Sequence, residues 1–196
     1  LGRFVPWLYP AALEADITTR DGATLHLRPI RPDDTERLLA FHHRLSEDSI
    51  YRRYFSMHPE LSTAELAHLT RVDYVDRLAL VIEDGHRLVA VGRYDQYPFA
   101  TKAEVAFVVA DDYQHQGLGR QLLEHLATAA WDRGITSFTA ETMSSNREML
   151  SVFYDSGFPV KTVQEDGDVS VRFSIEPTEA SRALREERRA RRRRAV

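Results

Sequence analysis

Residues Ala103 to Leu126 read A-E-V-A-F-V-V-A-D-D-Y-Q-H-Q-G-L-G-R-Q-L-L-E-H-L, and this stretch decides the fold. Ala103–Ala110 is a nearly continuous apolar run of strand length, the pattern of a strand covered on both faces. Leu118, Leu122, Leu123, Leu126 and Ala130 then recur on one helical stripe that stops at Gly134, placed as a C-cap. Ile135–Thr142 returns to strand character. A strand, helix and strand in this order form a βαβ unit, whose two strands lie parallel and are joined by a right-handed crossover.

Outward from that unit the signals are hairpins and short helices. Ile17–Ile30 folds back around Asp21-Gly22, and Arg77–Glu83 with Arg87–Tyr94 flank Asp84-Gly85. A closing hairpin, Phe158–Val163 and Val169–Ile175, turns at Asp166-Gly167. Between the first two hairpins lie three helices. Pro32 opens the first, with Asp33 and Glu36 spaced as a capping box and a stripe of Leu38, Leu39, Phe41, His42 and Leu45. The second covers Asp48–Phe55, and the third is announced by Ser62 and Glu65. Asn146–Ser156 is a further helix. The expected fold is α/β (α+β): a mixed, mostly antiparallel sheet with a central parallel strand pair and helices on both faces. Its domain runs over 16–176, after an irregular lead-in over 1–15 and before an Arg-rich tail over 177–196.

The chain has 196 residues, 43% of them hydrophobic and 29% charged, enough for one domain with a real core. No apolar run approaches the ~18 residues that cross a bilayer, and Leu1–Trp7 is too short for a signal h-region, so a cytoplasmic address is the default and no membrane partner is expected. The chain begins at Leu1 rather than Met, as in a processed protein or an excised piece. With no cysteine, disulfides, thiolate zinc and a cysteine acyl-enzyme are excluded together. The eight histidines include no H-E-x-x-H, so no metal is expected. The net charge of −4 conceals an asymmetry: from Pro177 onward eight Arg and three Glu give +5, and the remainder, with 18 basic and 27 acidic residues, carries −9. A terminal basic run of this kind reads first as a solvated helix or linker. It has no interleaved aromatics for base stacking, which argues against nucleic acid as a partner. The acidic body suits a cationic acceptor, with Asp73, Asp76, Asp95, Asp111 and Asp112 as candidate contributors.

Chemistry concentrates where the strand ends and the Leu-rich helix begins. Glycines at a helix mouth let unpaired first-turn amides converge on an anion at the positive end of the macrodipole. There is no G-x-x-x-x-G-K-[ST], so NTP hydrolysis has no support. A dinucleotide fingerprint needs a third small residue where Leu122 stands. The string that is present is Q-x-x-G-x-G, as Gln114, Gly117 and Gly119. It resembles the acyl-CoA-binding motif of the GNAT-type N-acetyltransferases, and the preceding strand, the Leu-rich helix, Asn146 and the Ser156-Gly157-Phe158 exit follow in that family's order across Ile17–Ile175. R-D-G-x-x-x-x-x-R-P-I-R-P-x-D, spanning Arg20–Asp34, looks like the acetyltransferase domain of bacterial protein-lysine acetyltransferases. Similar domains are often fused to acyl-CoA-synthetase-like or small regulatory domains, absent from these residues.

The resemblance implies acetyl-CoA as donor, with no metal. The loop of Gln114, His115, Gln116, Gly117, Leu118, Gly119 and Arg120 would cradle the diphosphate, helped by Asn146 and by the charge of Arg120 and Arg147. Main-chain groups of Phe107, Val108 and Val109 would pair with the pantetheine arm as with an added strand and donate to the oxyanion. The acceptor would be a lysine-bearing protein. A lysine of pKa ~10.4 needs about 4.6 kcal/mol to be neutral at pH 7, so a base is required. Glu104 is the one acid inside the apolar strand; burial beside Ala106, Val108 and Ala110 would raise its pKa toward a useful range, and the resemblance favours it as the base. The other place for it is an exposed strand entrance, paired with Lys102. Many family members place a tyrosine acid four residues before the glycine of the helix exit. Here that position is Phe153, which leaves Tyr154, displaced by about 100°, as the candidate acid. The same residues also accommodate a small amine acceptor, or a non-catalytic acyl-CoA-sensing module. No oligomeric state is assigned.

Overall fold

The structure, a computed structural model, describes residues 8–58 and 60–194. The start of the lead-in and the last two residues of the tail lie outside them. Eight strands form one sheet: β1 (Ala15–Thr18), β2 (Thr24–Pro29), β3 (Arg77–Asp84), β4 (Arg87–Gln96), β5 (Lys102–Val109), β6 (Ser137–Met143), β7 (Val160–Glu165) and β8 (Asp168–Ser174). Their order is β1-β2-β3-β4-β5-β6-β8-β7. Every neighbouring pair is antiparallel except β5 and β6, as the single βαβ unit requires. The helices are α1 (Thr35–His43), α2 (Glu47–Tyr54), α3 (Thr63–Thr70), α4 (Leu118–Asp132), α5 (Arg147–Tyr154) and α6 (Glu179–Arg194).

The Leu stripe of α4 explains its seat. Leu118, Leu122, Leu123 and Leu126 are all buried, and α4 approaches β4 so closely that a Cβ on Gly92 would sit 2.9 Å from Phe107 and 3.1 Å from Leu126. Gly134, at φ +84°, ends the helix in the left-handed conformation that L side chains avoid. The opposite face of the sheet carries α1, α2 and α3.

One predicted cap is replaced by something stronger. Instead of an Asp33–Glu36 box, a 3-10 turn over Pro32–Asp34 precedes α1, and the Asp34 carboxylate accepts the Arg31 amide at 2.8 Å. It also takes both terminal nitrogens of Arg28, at 2.7 and 2.8 Å. Arg28 is only 2% exposed, and its Nε donates to Glu83 at 3.0 Å. The R-P-I-R-P-x-D string is therefore a buried ion cluster that fixes β2 to the start of α1. Burial pushes the Asp34 carboxyl upward, but Arg28 and the Arg31 amide outweigh it and hold the group below the usual carboxylate range.

The tail is a largely exposed helix, as expected of it, and its first turns are docked on the domain. Thr178 and Ser181 cap α6 reciprocally, each hydroxyl accepting the other's amide at 2.9 Å. Thr178 also donates to the Gly157 carbonyl at 2.7 Å, and Arg185 donates to Thr128 of α4 at 2.6 Å. Gly157 permits this docking: its φ is +80°, and a Cβ there would meet the Ser181 amide nitrogen at 2.8 Å. Among the described residues no helix is long and apolar enough to cross a membrane.

Candidate active site

The parallel pairing of β5 with β6 lasts only three residues, Lys102↔Ser137 to Glu104↔Thr139. Beyond Glu104 the two strands part, and α4 and α5 flank the gap. A cleft of about 330 Å³ opens in the gap, lined by β5 from Glu104 to Val109, by the loop and first turn of α4, by Ala140–Thr142 of β6 and by α5. That volume suits a small-molecule site. Its apolar floor includes Phe107 and Phe153, whose rings lie 6.1 Å apart. The continuous apolar character of β5 reflects cover on both faces, with α4 on one and α2 on the other; on the second face Ala106 and Val108 are half-buried and also line the cleft.

At one end of the cleft the chain curls through two left-handed residues, His115 (φ 64°) and Gly117 (φ 80°). Gly117 caps α4 without a side-chain hydrogen bond, so the first-turn amides point into the opening, a concave anion-binding arrangement. Gly119 serves close packing instead: a Cβ would meet Val152 of α5 at 3.1 Å. The loop is braced from behind by the first hairpin. The Gln116 carbonyl accepts the Arg20 amide at 3.1 Å, its Oε1 accepts the Asp21 amide at 3.2 Å, and Gln121 donates to the Thr18 carbonyl at 3.0 Å.

Of the residues singled out from sequence, Glu104, Phe107, Val108, Val109, Gln114, His115, Gly117, Leu118, Gly119, Arg120 and Asn146 line the cleft. Several carry structural duties as well. Gln114 donates to Ser49 of α2 at 3.2 Å, Asn146 caps α5 by accepting the Met149 amide at 3.2 Å, and Arg120 is ion-paired with Asp155. Gln116 and Tyr154 are outside the lining. Tyr154 is 55% exposed, and its hydroxyl meets Thr162 of β7 at 3.2 Å; one step round α5, Phe153 holds the cleft side. Arg147 is exposed and also outside the lining. Glu104 corrects the expected burial. It is exposed at the point where β5 leaves β6, and its carboxylate has no ion pair with Lys102, whose ammonium lies 5.5 Å from the Tyr97 ring centroid.

The expected acidic rim is also corrected. None of Asp73, Asp76, Asp95, Asp111 and Asp112 lines the cleft. Asp111 instead anchors α2, accepting the Ser46 amide at 3.0 Å and the hydroxyls of Ser46 and Ser49 at 2.6 and 2.9 Å. Burial pushes this carboxyl up, but those donors prevail and keep it below the usual range. Anchored so, α2 brings Arg52, Arg53 and Phe55 to the cleft. Sequence reasoning missed these residues, because a seryl cap read locally gives no hint of a carboxylate more than sixty positions away.

Residues 44–158 match the Acetyltransferase (GNAT) family. The chain belongs to the GNAT acetyltransferases. It is 34% identical over 139 residues to Acetyltransferase Pat of Mycolicibacterium smegmatis, covering 69% of this chain and 41% of Pat. It is also 34% identical over 155 residues to Acetyltransferase PA5475 of Pseudomonas aeruginosa, covering 76% of this chain and 83% of that protein. The crystal structure of the GNAT domain of S. lividans PAT aligns with a TM-score of 0.80 at 41% identity, over 85% of this chain and 99% of that domain. The chain therefore spans about two fifths of Pat. As a GNAT acetyltransferase it is an acetyl-CoA-dependent N-acyltransferase.

Two consequences for this GNAT site can be measured. Gly117→Ala has open space for its methyl group but must hold a left-handed conformation, at about 1–2 kcal/mol. Calorimetry should show acetyl-CoA binding weakened by up to roughly tenfold, the share of that strain which the free loop relaxes and binding must restore. Tyr154→Phe removes only the Thr162 contact, so kcat should stay within about twofold; a larger loss would return Tyr154 to the chemistry.

Proposed function

We propose that this enzyme acetylates protein lysine side chains by direct transfer from acetyl-CoA, with Glu104 as the base, acting directly or through a water. What carries the reading is the way β5 and β6 part at Glu104. The cleft runs from that carboxylate to the amides at the start of α4, so a donor with its diphosphate on those amides would lay its pantetheine arm along the open edge of Val105–Val109, as an added strand. Its thioester would then lie beside Glu104. Exposure suits Glu104 to this work: the carboxylate makes no hydrogen bond or ion pair with another described side chain, so it is available to an incoming ammonium.

A β5 main-chain amide among Phe107–Val109 would stabilise the oxyanion. The departing thiolate, at a pKa near 8.5, needs only about 2 kcal/mol of help at neutral pH, so transfer can proceed without a tyrosine acid. Protein lysine is favoured over a free small amine by the resemblance of the Arg20–Asp34 string to that of protein-lysine acetyltransferases and by the open, exposed Glu104 end of the cleft. The working unit is taken as 16–176 with α6 as an appendage, at a cytoplasmic address.

Steady-state assays with acetyl-CoA, comparing lysine peptides and intact proteins with polyamines, test the acceptor. Lysine substrates should give at least about tenfold higher kcat/KM. Equal or better turnover of free amines would sink the protein-lysine reading. Tight acetyl-CoA binding with no transfer to any amine would favour a sensor.

A further inference from the structure

A buried cation beside the acceptor end of the cleft has no part in the transfer chemistry. Arg93 lies in the middle of β4, opposite Ala106 of β5, beneath α1–α3, and is 8% exposed. Among the described residues its side chain makes one long hydrogen bond, to the Leu69 carbonyl at 3.4 Å. Asp95, two residues along the strand, is engaged by Arg77 at 2.6 Å. Arg53 of α2 faces the same spot; its guanidinium lies 5.0 Å from the Tyr54 ring centroid and has no carboxylate partner among the described residues. Arg28 makes the contrast plain, since that buried guanidinium is met by two carboxylates. An unmatched buried charge is expensive. Burial, with repulsion from Arg53, pulls the Arg93 guanidinium down to about 10, which leaves it cationic at neutral pH.

Arg53, Arg93, Ala106 and Val108 line a cavity of about 20 Å³, room for one water or one carboxylate oxygen. Arg53, Ala106 and Val108 also line the main cleft, so the cavity lies directly against it, behind the same three side chains. Glu104 precedes Ala106 by two residues, roughly 7 Å along the strand. We infer that Arg93 and Arg53 form a subsite for a carboxylate carried by the acceptor several bonds away from its reactive amine. This rests on the reading of Glu104 as the acceptor end. The spacing exceeds that between the amino and carboxylate groups on one α-carbon. It suits a free ω-amino acid or an acidic side chain beside a target lysine.

The test uses acceptor pairs that differ in one carboxylate: Nα-acetyl-lysine against its amide, and a Lys-Glu peptide against its Lys-Gln counterpart. Wild-type enzyme should prefer the acid about 10–100-fold in kcat/KM, through KM, as expected for a charged hydrogen bond. Arg93→Gln and the more exposed Arg53→Gln should each bring that ratio to within about threefold of unity. A response by the peptide pair alone assigns the carboxylate to an acidic neighbour of lysine, and by the small pair alone to a free ω-amino acid. A ratio near one for both pairs in wild type, or one that survives both substitutions, overturns the subsite. Nα-acetyl-norleucine, which keeps the carboxylate and lacks the amine, is titrated calorimetrically into CoA-saturated protein. Binding abolished by Arg93→Gln supports the subsite even without acetylation, and only the transfer reading then fails. Absence of both binding and selectivity overturns the subsite.

Discussion

Glu104→Gln should lower kcat for lysine acetylation by about 10²–10⁴-fold at pH 7 while leaving the Kd for acetyl-CoA within about twofold. The amide is nearly isosteric with the carboxylate and sits on an exposed strand position, so the substitution removes a proton acceptor and little else. The loss reflects the penalty of about 4.6 kcal/mol for a neutral lysine at pH 7, part of which the base offsets. That penalty shrinks as pH approaches the amine's own pKa, so the variant should recover activity roughly tenfold per pH unit until the lysine is neutral. A pH–rate profile with parallel calorimetry checks both halves. An unchanged kcat would remove Glu104 from the mechanism, and a matching loss of acetyl-CoA affinity would make it a binding residue.

Asp34→Ala should destabilise the fold by about 3–5 kcal/mol, the usual consequence of leaving a buried charge without its partner. For a domain of this size that corresponds to a fall in Tm of roughly 6–20 °C. Arg28 would retain the Pro29 carbonyl at 3.1 Å and one carboxylate, Glu83, itself shared with Arg37 at 2.6 Å, and β2 would lose its tie to the first turn of α1. The pH dependence has a definite sign. Because the folded-state pKa of Asp34 is held below its ordinary value, its contribution is complete above the unfolded pKa near 3.9 and disappears as pH falls through the folded one. Acid unfolding of wild type, followed by circular dichroism, should therefore gain a component below about pH 4 that the variant lacks. A variant with unchanged Tm and acid midpoint would show that Arg28 finds another partner.

The elements legible in sequence are those set by local pattern. The Leu118–Leu126 stripe, the Asp84-Gly85 turn and Gly134 each encode a period or a required φ within a few residues. The glycine-bearing loop was legible for the same reason, since left-handed backbone at Gly117 is a local demand. Glu104 shows where such reading stops. Alternation along β5 identified which residues share its face, but an apolar run is the same whether a helix or an open groove covers it. The Arg-rich tail is the exposed helix its composition suggests, but Thr178, Ser181 and Arg185 secure its start to Gly157 and α4 through contacts distant in sequence.

By itself, then, the sequence determined the strand–helix–strand unit, the hairpins, the family and the amide-lined helix mouth, because each depends on the identity and spacing of neighbouring residues. Only the tertiary structure decided that β5 and β6 part at Glu104, that Phe153 rather than Tyr154 faces the cleft, and that Asp111 swings α2 and its arginines to the rim. Those outcomes follow from strand register and from hydrogen bonds between segments far apart in the chain, which become neighbours only when the sheet closes.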